Sequence, residues 1–292
     1  MNWEDLRHFV VLAQTGSLSE AARHLGVDHT TVARRVAALE TALKVRLVDR
    51  LPRAYLLTED GERIAQLARG MDEQAHAVMR TASAADPSLV GCVRVSAPPV
   101  FASVVLAPGL GGLATDHPGL VVELAGESHT AALERREADI ALRLLEPAGE
   151  GLVVRKLCEL SYSLYAAPSY AQDRDPAEYR FVAYDSSLEQ VPQQRWLMQV
   201  AGPRPVVFRS NDAASLASAT RAGLGVAVLP DFLAHADPGL VRLAPPVGIL
   251  PPSRPLWLVV HEDLRRSARV RLVMDFLIAM LSAPVFGGGA KR

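Results

Sequence analysis

Residues 17–36 read SLSEAARHLGVDHTTVARRV, and this stretch decides the fold of the first domain. Ser17 to Glu20 has the spacing of a capping box, in which the serine hydroxyl accepts from a main-chain amide and the glutamate reaches back, so a helix starts here. Gly26 ends that helix, and Asp28 is a good N-cap for the next one. The next helix has an inward stripe at spacings of four, three and four, formed by Val32, Val36, Leu39 and Leu43. Two helices joined by a short glycine-containing turn predict a helix-turn-helix.

A preceding helix is predicted over 4–15, because apolar residues fall at helical spacing before Gly16. In a helix-turn-helix, the N-terminal part of the second helix lies in the DNA major groove. With the stripe facing inward, the outward residues near that end are His29, Thr30, Ala33 and Arg34. Arg34 can bind guanine or phosphate, whereas Ala33 can only pack against a base. The alternative for each of them is a solvated helix residue.

Two β-prone runs at 45–49 and 55–58 predict a hairpin, or wing, after the third helix. Arg50 and Arg53 flank its tip, where an arginine meets phosphate or the minor groove; a solvated turn arginine is the alternative. From residue 23 to residue 53 there are seven lysines and arginines against three acids, a local balance of +4. The net charge of −1 for the whole chain therefore does not argue against DNA binding.

The chain has 292 residues, enough for two or three compact units, and 49% of them are hydrophobic. The acidic start of the chain is unlike a signal peptide, and no apolar run reaches membrane-spanning length, so we expect a cytoplasmic protein. The two cysteines, Cys92 and Cys158, are too few for a metal cluster. They are either buried hydrophobic residues or, if they meet in the fold, a redox pair.

A long helix is predicted after Thr58, which can cap it, while three acids in its first turn suit the helix dipole. Apolar residues then step by four and three in a heptad seam that predicts dimerisation, formed by Ile64, Ala68, Met71, Ala75, Val78 and Ala82. Packing of this stripe on the chain's own domain is the alternative. Residues 86–88 break the helix, and Gly91 marks the boundary of the next domain.

Strand-like runs alternate with helical stretches over the last two hundred residues, which predicts open α/β sheets. The predicted strands are 93–97, 120–125, 138–144, 160–166, 181–184, 206–209, 226–229 and 256–261. In such sheets ligands bind outside the carboxyl ends of strands. We therefore expect functional residues in the loops that follow strands.

The stretch 17–27, with TVARRV at 31–36 and Leu39-Glu40, resembles the N-terminal signature of LysR-type transcriptional regulators. The wing RLVDRLPR at 46–53 and LTEDG at 57–61 resemble the family's as well. Further landmarks occur in the family's order at 94–98, 117–120, 138–143, 166–170 and 222–230. His29 and Ala33 stand where the family often has glutamine and serine, so no operator base preference is transferred, and Val48, where phenylalanine is usual, is a change in the core.

The resemblance implies an α/β multidomain protein: a winged helix-turn-helix at 1–58, a linker helix and hinge at 59–90, and an effector domain at 91–292. That last domain is expected to have two α/β subdomains like a periplasmic binding protein, 91–161 with 264–292 and 162–263, crossing near residues 161 and 263 around a ligand cleft. The expected DNA contacts are Ser19, His29, Thr30, Thr31, Ala33, Arg34, Arg50 and Arg53. The expected effector contacts are Ser96, Pro98, Pro99, Phe101, Glu127, Ser128, Arg143, Ser210 and Asn211.

Arg143 bears most on the charge of the effector, since a guanidinium binds a carboxylate or phosphate bidentately. An ion pair with Glu127 or Glu146 is the alternative. Asp212 can cap the helix that follows it, and the amides at that helix start can hold an anion.

The expected partners are a DNA operator with two-fold-related half-sites, a small and possibly anionic effector, and further copies of the chain as a dimer or the tetramer usual in the family. RNA polymerase joins them if the protein is an activator. No cofactor, metal or membrane partner is expected. An enzyme on the α/β domain is the alternative, but the chain has no GxSxG, HExxH or P-loop motif. A solute-binding protein would match only the second half.

Overall fold

The computed structural model describes residues 2–51, 54–68, 88–127, 138–147, 149 and 151–282. Its contacts divide the chain into two compact units, Met1–Ala82 and Ser83–Arg292. We call the first unit the head and the second the effector domain. None of the helices in the described ranges combines the length and apolar character needed to span a bilayer.

The head begins with three helices, α1 (Trp3–Thr15), α2 (Leu18–Leu25) and α3 (His29–Leu43). Gly16 and Gly26 end the first two in the left-handed region, with φ of 65° and 66°. The predicted stripe of α3 packs inward, with Leu39 fully buried beside Phe9 and Leu12 of α1. Apolar periodicity and glycine stops therefore predicted this part of the chain within one residue.

The predicted capping box is wrong in its hydrogen bonds. Ser17 and Asp28 occupy the N-cap positions with extended backbone, but neither side chain makes a capping bond. The Glu20 carboxylate instead lies 3.9 Å from the Arg23 guanidinium on the same helix. Since α2 is short and packs its buried face on the core, burial rather than capping accounts for its position.

The wing consists of antiparallel strands β1 (Val48–Leu51) and β2 (Ala54–Leu57). Glu40 of α3 holds its base, because Oε1 accepts from the main-chain amides of Leu47 at 2.7 Å and Val48 at 3.2 Å. Thr58 then caps the next helix as predicted, accepting from the Gly61 amide at 3.0 Å.

Residues 59–68 of the predicted linker helix are described and are helical; we call them α4. Ala68 is buried in the head's own core, and Ile64 packs partly against it, while Leu67 is 73% exposed. Ile64 and Ala68, the two seam residues that the structure describes, thus pack against the head of their own chain. The other four, Met71, Ala75, Val78 and Ala82, lie outside the described residues.

The effector domain contains strands β3 (Gly91–Ala97), β4 (Leu120–Gly126), β5 (Ile140–Arg143), β6 (Leu152–Ala166), β7 (Phe181–Tyr184), β8 (Val206–Ser210), β9 (Val226–Pro230), β10 (Val241–Leu243) and β11 (Ser253–His261). They hydrogen-bond in the order β4-β3-β5-β11-β6-β9-β7-β8, with β10 beside β6. All eight predicted strands are present; β10 and the first part of β6 were not predicted. The α/β class is confirmed.

The chain crosses between two halves of this domain along β6. Its residues 152–161 pair with β11, and residues 162–165 pair with β9, so the predicted crossing near 161 agrees with the structure. The predicted second crossing near 263 does not, because β11 already pairs with β5 in the first half from Trp257 onward and with β6 from Ser253. The chain returns before residue 253, a pairing choice that strand patterns alone do not encode.

Helices flank this sheet at Pro99–Phe101, Ala107–Gly109, Gly111–Asp116, Pro168–Gln172, Pro192–Ala201, Ala213–Arg221, Asp231–Ala234 and Ala268–Leu281, with a π-helical turn at Ala102–Leu106. We call Pro192–Ala201 and Ala213–Arg221 helices A and B. One apolar core runs through both halves of the domain, and a second cluster lies under helix B. The carboxyl ends of several strands therefore meet where the halves join.

Candidate DNA interface and effector cavity

At the start of α3, one face of the helix carries polar side chains and the opposite face packs into the core. His29, Thr30 and Arg34 are exposed, and Thr31 and Ala33 are half-buried, whereas Val32 between them is fully buried. Ser19 is exposed on α2. The Arg34 guanidinium has no partner among the described residues. This face, which we call the reading face, therefore leaves its donors available to bases and phosphates.

The neighbouring arginine has a different role. Arg35 Nη1 donates to the Asp5 carboxylate of α1 at 3.1 Å, and Asp5 is buried. Arg35 thus links α3 to α1, whereas the adjacent Arg34 faces solvent. On the wing, Arg46 lies 3.5 Å from Asp49. The side chain of Arg50 and all of Arg53 lie outside the described residues.

A cavity of about 260 Å³ lies between the halves of the effector domain. Its apolar wall includes Pro98, Pro99 and Phe101 after β3, together with Phe232, whose ring meets that of Phe101 edge-on at 5.2 Å. The volume is just below the range of roughly 300–1,000 Å³ usual for ligand pockets. A compact metabolite fits a space of this size.

Arg143 lines this cavity and is only 5% exposed. Its Nη1 donates to the carbonyls of Ser96 at 3.2 Å and Leu142 at 2.8 Å, and its Nη2 donates to Ser96 Oγ at 2.8 Å. Burial lowers the pKa of Arg143, and attraction to Glu127 opposes that shift. Arginine has five N–H donors, and Nε has no partner among the described residues. The guanidinium is rigidly held with donor capacity to spare.

Ser96 and Glu127 complete this arrangement. The Ser96 hydroxyl donates to Glu127 Oε2 at 3.2 Å, so the serine lies between the carboxylate and the guanidinium. Among the described residues Arg143 forms no direct ion pair with Glu127 or Glu146, and Glu127 meets the guanidinium only through Ser96. Glu127 also lines the cavity, while the predicted contact Ser128 lies outside the described residues.

A second buried arginine, Arg254 of β11, lines the same cavity and was not predicted. Its Nη2 donates to the carbonyl of Leu144 at 3.3 Å. It also lies beside Tyr162, where burial raises the pKa of the phenol and Arg254 opposes the shift. The one charged residue in the run SRPLWLVV could have drawn attention to this position. The sequence alone does not show which face of the sheet it occupies, because that depends on how β11 pairs with its neighbouring strands.

The opposite wall comes from the second half, with Tyr184, Gln193, Asn211 and Asp212. Asp212 caps helix B, accepting from the amides of Ala214 at 3.3 Å and Ser215 at 2.8 Å. Burial raises the pKa of Asp212, but the hydrogen bonds from Ser215 and Ala214 outweigh it, and the net shift is downward.

The predicted cap at Asp212 is therefore confirmed. Its carboxylate occupies the amides of Ala214 and Ser215, so an anion at this helix start, which stays a prediction, would have to use other donors. Ser210 does not line the cavity, and its hydroxyl accepts from the Asp212 amide at 3.2 Å.

Within the described ranges no group of three or more His, Cys, Asp or Glu side chains could hold a metal ion. Cys92 and Cys158 are both free thiols. Burial, with a smaller contribution from Glu159, raises the pKa of Cys158 to about 11. A thiol that stays protonated at neutral pH is a poor nucleophile.

An exposed recognition helix in one unit and a ligand-sized cavity in the other define a ligand-responsive DNA-binding regulator. Residues 3–62 match the family described as bacterial regulatory helix-turn-helix protein, lysR family, and residues 88–282 match the LysR substrate binding domain. The chain belongs to the LysR family of transcriptional regulators.

Three relatives show the extent of the similarity. The Mau operon transcriptional activator of Paracoccus denitrificans is 29% identical, with 98% of this chain and 99% of that protein covered. The structure of CrgA from Neisseria meningitidis has 26% identity and a TM-score of 0.58, covering 96% of this chain and 99% of that one. Full-length CbnR complexed with its target DNA has 19% identity and a TM-score of 0.51, covering 96% and 100%. These relatives are regulators and not enzymes.

Proposed function

We propose that this regulator changes its affinity for an operator with two-fold-related half-sites when a small anion binds in the cavity of the effector domain. The observation that carries the proposal is the buried guanidinium of Arg143, held by Ser96 and Leu142 with its Nε still unpartnered. Buried cations are normally paired, so a carboxylate or phosphate on the ligand is the natural complement.

On the DNA side, the proposed contacts are the reading face (Ser19, His29, Thr30, Thr31, Ala33 and Arg34) and the wing arginines Arg50 and Arg53. A dimer follows from the two half-sites, because two-fold symmetry in the protein matches two-fold symmetry in the operator. The predicted linker seam would join the subunits through Met71, Ala75, Val78 and Ala82, because Ile64 and Ala68 pack against the head's own core. The structure of full-length CbnR complexed with its target DNA supports DNA binding by this fold.

The proposal also covers the assembly of the protein, its contact with RNA polymerase and its place in the cell. Dimers assemble into tetramers, contact with RNA polymerase applies if the protein is an activator, and the protein acts in the cytoplasm, where an operator is reached. Because coupling is a free energy shared by two sites, the effector must bind more tightly to one arrangement of the assembly than to the other.

The test uses the full-length protein and DNA upstream of its own gene, with small carboxylates added in turn. We expect a carboxylate to shift the operator Kd of the wild type. Arg143→Gln should weaken binding of that carboxylate by at least about tenfold, since a charged bidentate contact is lost. Arg271→Gln, at an exposed site on Ala268–Leu281, is the matched control. Equal carboxylate affinity in Arg143→Gln and wild type would reject the anionic effector.

A further inference from the structure

A second buried polar group without a partner among the described residues belongs to a residue of the opposite wall of the cavity. Gln193, on helix A, is only 4% exposed and lines the cavity. Its side chain hydrogen-bonds to the Tyr184 phenol, and its Oε1 has no partner among the described residues. A buried carbonyl oxygen without a donor costs free energy, so it is a place for a ligand donor.

The charges around the cavity restrict what kind of donor this can be. Arg143 and Arg254 are both buried and enter from the neighbouring strands β5 and β11. The two lining carboxylates are already engaged, Glu127 by the Ser96 hydroxyl and Asp212 by the start of helix B. An ammonium group would therefore be desolvated beside two guanidiniums, and both lining carboxylates already accept hydrogen bonds, so a neutral donor is favoured over a charged one.

The partners of these lining charges also indicate how many negative charges the ligand carries. Glu127 partly balances Arg143 through Ser96, whereas Arg254 contacts a carbonyl oxygen and a phenol but no carboxylate within the described residues. Asp212 also lines the cavity, but the amides at the start of helix B hold it, so one carboxylate on the ligand would give Arg254 the anionic partner that the described residues do not supply. The apolar walls and the volume of about 260 Å³ add a compact hydrocarbon body.

We propose that the effector is a small hydroxycarboxylic acid, with its single carboxylate between Arg143 and Arg254 and its hydroxyl donating to Gln193 Oε1. This rests on the proposed function and goes beyond it by naming the class of ligand. It also explains how one ligand engages both halves of the domain, because the arginines belong to the first half and Gln193 to the second.

The test measures Kd by titration calorimetry on the full-length protein with two matched sets of probes. The aromatic set is mandelate, phenylacetate, mandelamide and phenylglycine. The branched aliphatic set is 2-hydroxy-4-methylpentanoate, 4-methylpentanoate, the hydroxyamide and leucine. In at least one set the hydroxy acid should bind about tenfold more tightly than its deoxy analogue, and the amide and amino acid at least about tenfold more weakly than the hydroxy acid.

Gln193→Met tests the assigned acceptor, since methionine keeps the volume and removes the carbonyl. In this variant the advantage of the hydroxyl should fall from about tenfold to about onefold, whereas the deoxy acid should bind as it does to wild type and so report correct folding. Arg271→Gln should leave the advantage unchanged.

Each outcome bears on one of the two proposals. Equal binding of hydroxy and deoxy acids, an undiminished hydroxyl advantage in Gln193→Met, or tight binding of the amino acid would overturn the hydroxy-acid inference but leave the anionic effector standing. An amide that binds as well as its acid would overturn the anionic effector itself. Absence of binding by both sets at millimolar concentration also overturns the inference, while a response to another small carboxylate would preserve the proposed function.

Discussion

The reading face and the effector cavity use the same side chains in opposite surroundings. Arg34 is exposed at the start of α3 and has no partner in the described residues, whereas Arg143 is 5% exposed and donates three hydrogen bonds to Ser96 and Leu142. An exposed arginine adapts to a phosphate or a base edge, and salt screens its attraction. A buried arginine is held in one position, and its field is little screened.

The reading face therefore contributes mainly affinity for DNA, and the cavity mainly selectivity among ligands. At the reading face, water solvates every donor before DNA arrives, so net binding comes largely from released counterions. In the cavity, unpartnered groups such as Arg143 Nε and Gln193 Oε1 are already desolvated. A ligand that satisfies them gains more than one that does not, so small chemical differences are recognised.

The largest effect is expected from a substitution that destabilises either the head or the effector domain and leaves the other unit folded. A Cβ at Gly61 would lie 2.1 Å from the carbonyl oxygen of Leu47, and one at Gly225 would lie 2.5 Å from that of Arg180. Each Gly→Ala change should lower the free energy of unfolding of its own unit by about 2–3 kcal/mol, since backbone must move. Gly61→Ala should impair DNA binding, whereas Gly225→Ala should impair effector binding and the effector's shift of the operator Kd but not the operator affinity measured without effector.

Hydrogen exchange measured peptide by peptide shows which unit is loosened. Gly112→Ala is the control, because nothing lies within 4 Å of the added Cβ, and alanine should stabilise that helix by about 0.5–1 kcal/mol. Faster exchange throughout both units in Gly61→Ala would show that the two units do not unfold independently.

An intermediate effect is expected at the reading face. Arg34→Ala should weaken operator binding by about 1–3 kcal/mol, roughly 5- to 150-fold, and non-specific binding much less, because a base contact discriminates between sequences. Fluorescence anisotropy at several salt concentrations measures both affinities.

Arg7→Ala removes an exposed arginine from α1 as the matched control for Arg34→Ala. An equal loss on operator and random DNA would show that Arg34 binds phosphate alone, and no loss would remove it from the interface.

The smallest effect concerns the cavity wall. Asp212→Ala should cost about 1 kcal/mol through loss of the cap on helix B, and Asp212→Asn only a few tenths. Because the pKa of Asp212 is lower when folded, its charge stabilises the folded state above the unfolded pKa of about 3.9, and this stabilisation is lost as pH falls through the folded value. The difference between wild type and Asp212→Asn should therefore close in acid. A constant difference from pH 7 to pH 3 in urea unfolding would refute it.

Local patterns predicted most of the head. The stripe on α3 and the stops at Gly16 and Gly26 depend on residues a few positions apart, and the structure has them where expected. The capping box at Ser17 failed although its spacing is right, because a hydroxyl chooses its partner from the packed surroundings. Ala68 of the predicted linker seam packs into the head's own core, while dimerisation through the rest of the seam stays a prediction.

In the cavity, the sequence indicated the loops after the strands and so found Pro98, Phe101, Glu127, Arg143 and Asn211 among the lining residues. It missed Arg254, Tyr162, Tyr184 and Gln193, which lie within or beside elements and carry no motif. Long-range strand pairing brings them to the cavity, and nothing in neighbouring residues encodes that pairing.

By itself, the sequence determined the family, the helix-turn-helix and the alternation of strands and helices, because periodicity, glycine stops and motif spacing are local properties of the chain. Only the tertiary structure decided that the chain returns to the first half before residue 253, that Arg254 joins Arg143, and that Gln193 Oε1 is left without a partner. These depend on which groups are brought together and desolvated, and burial is what turns an ordinary polar side chain into a selective one.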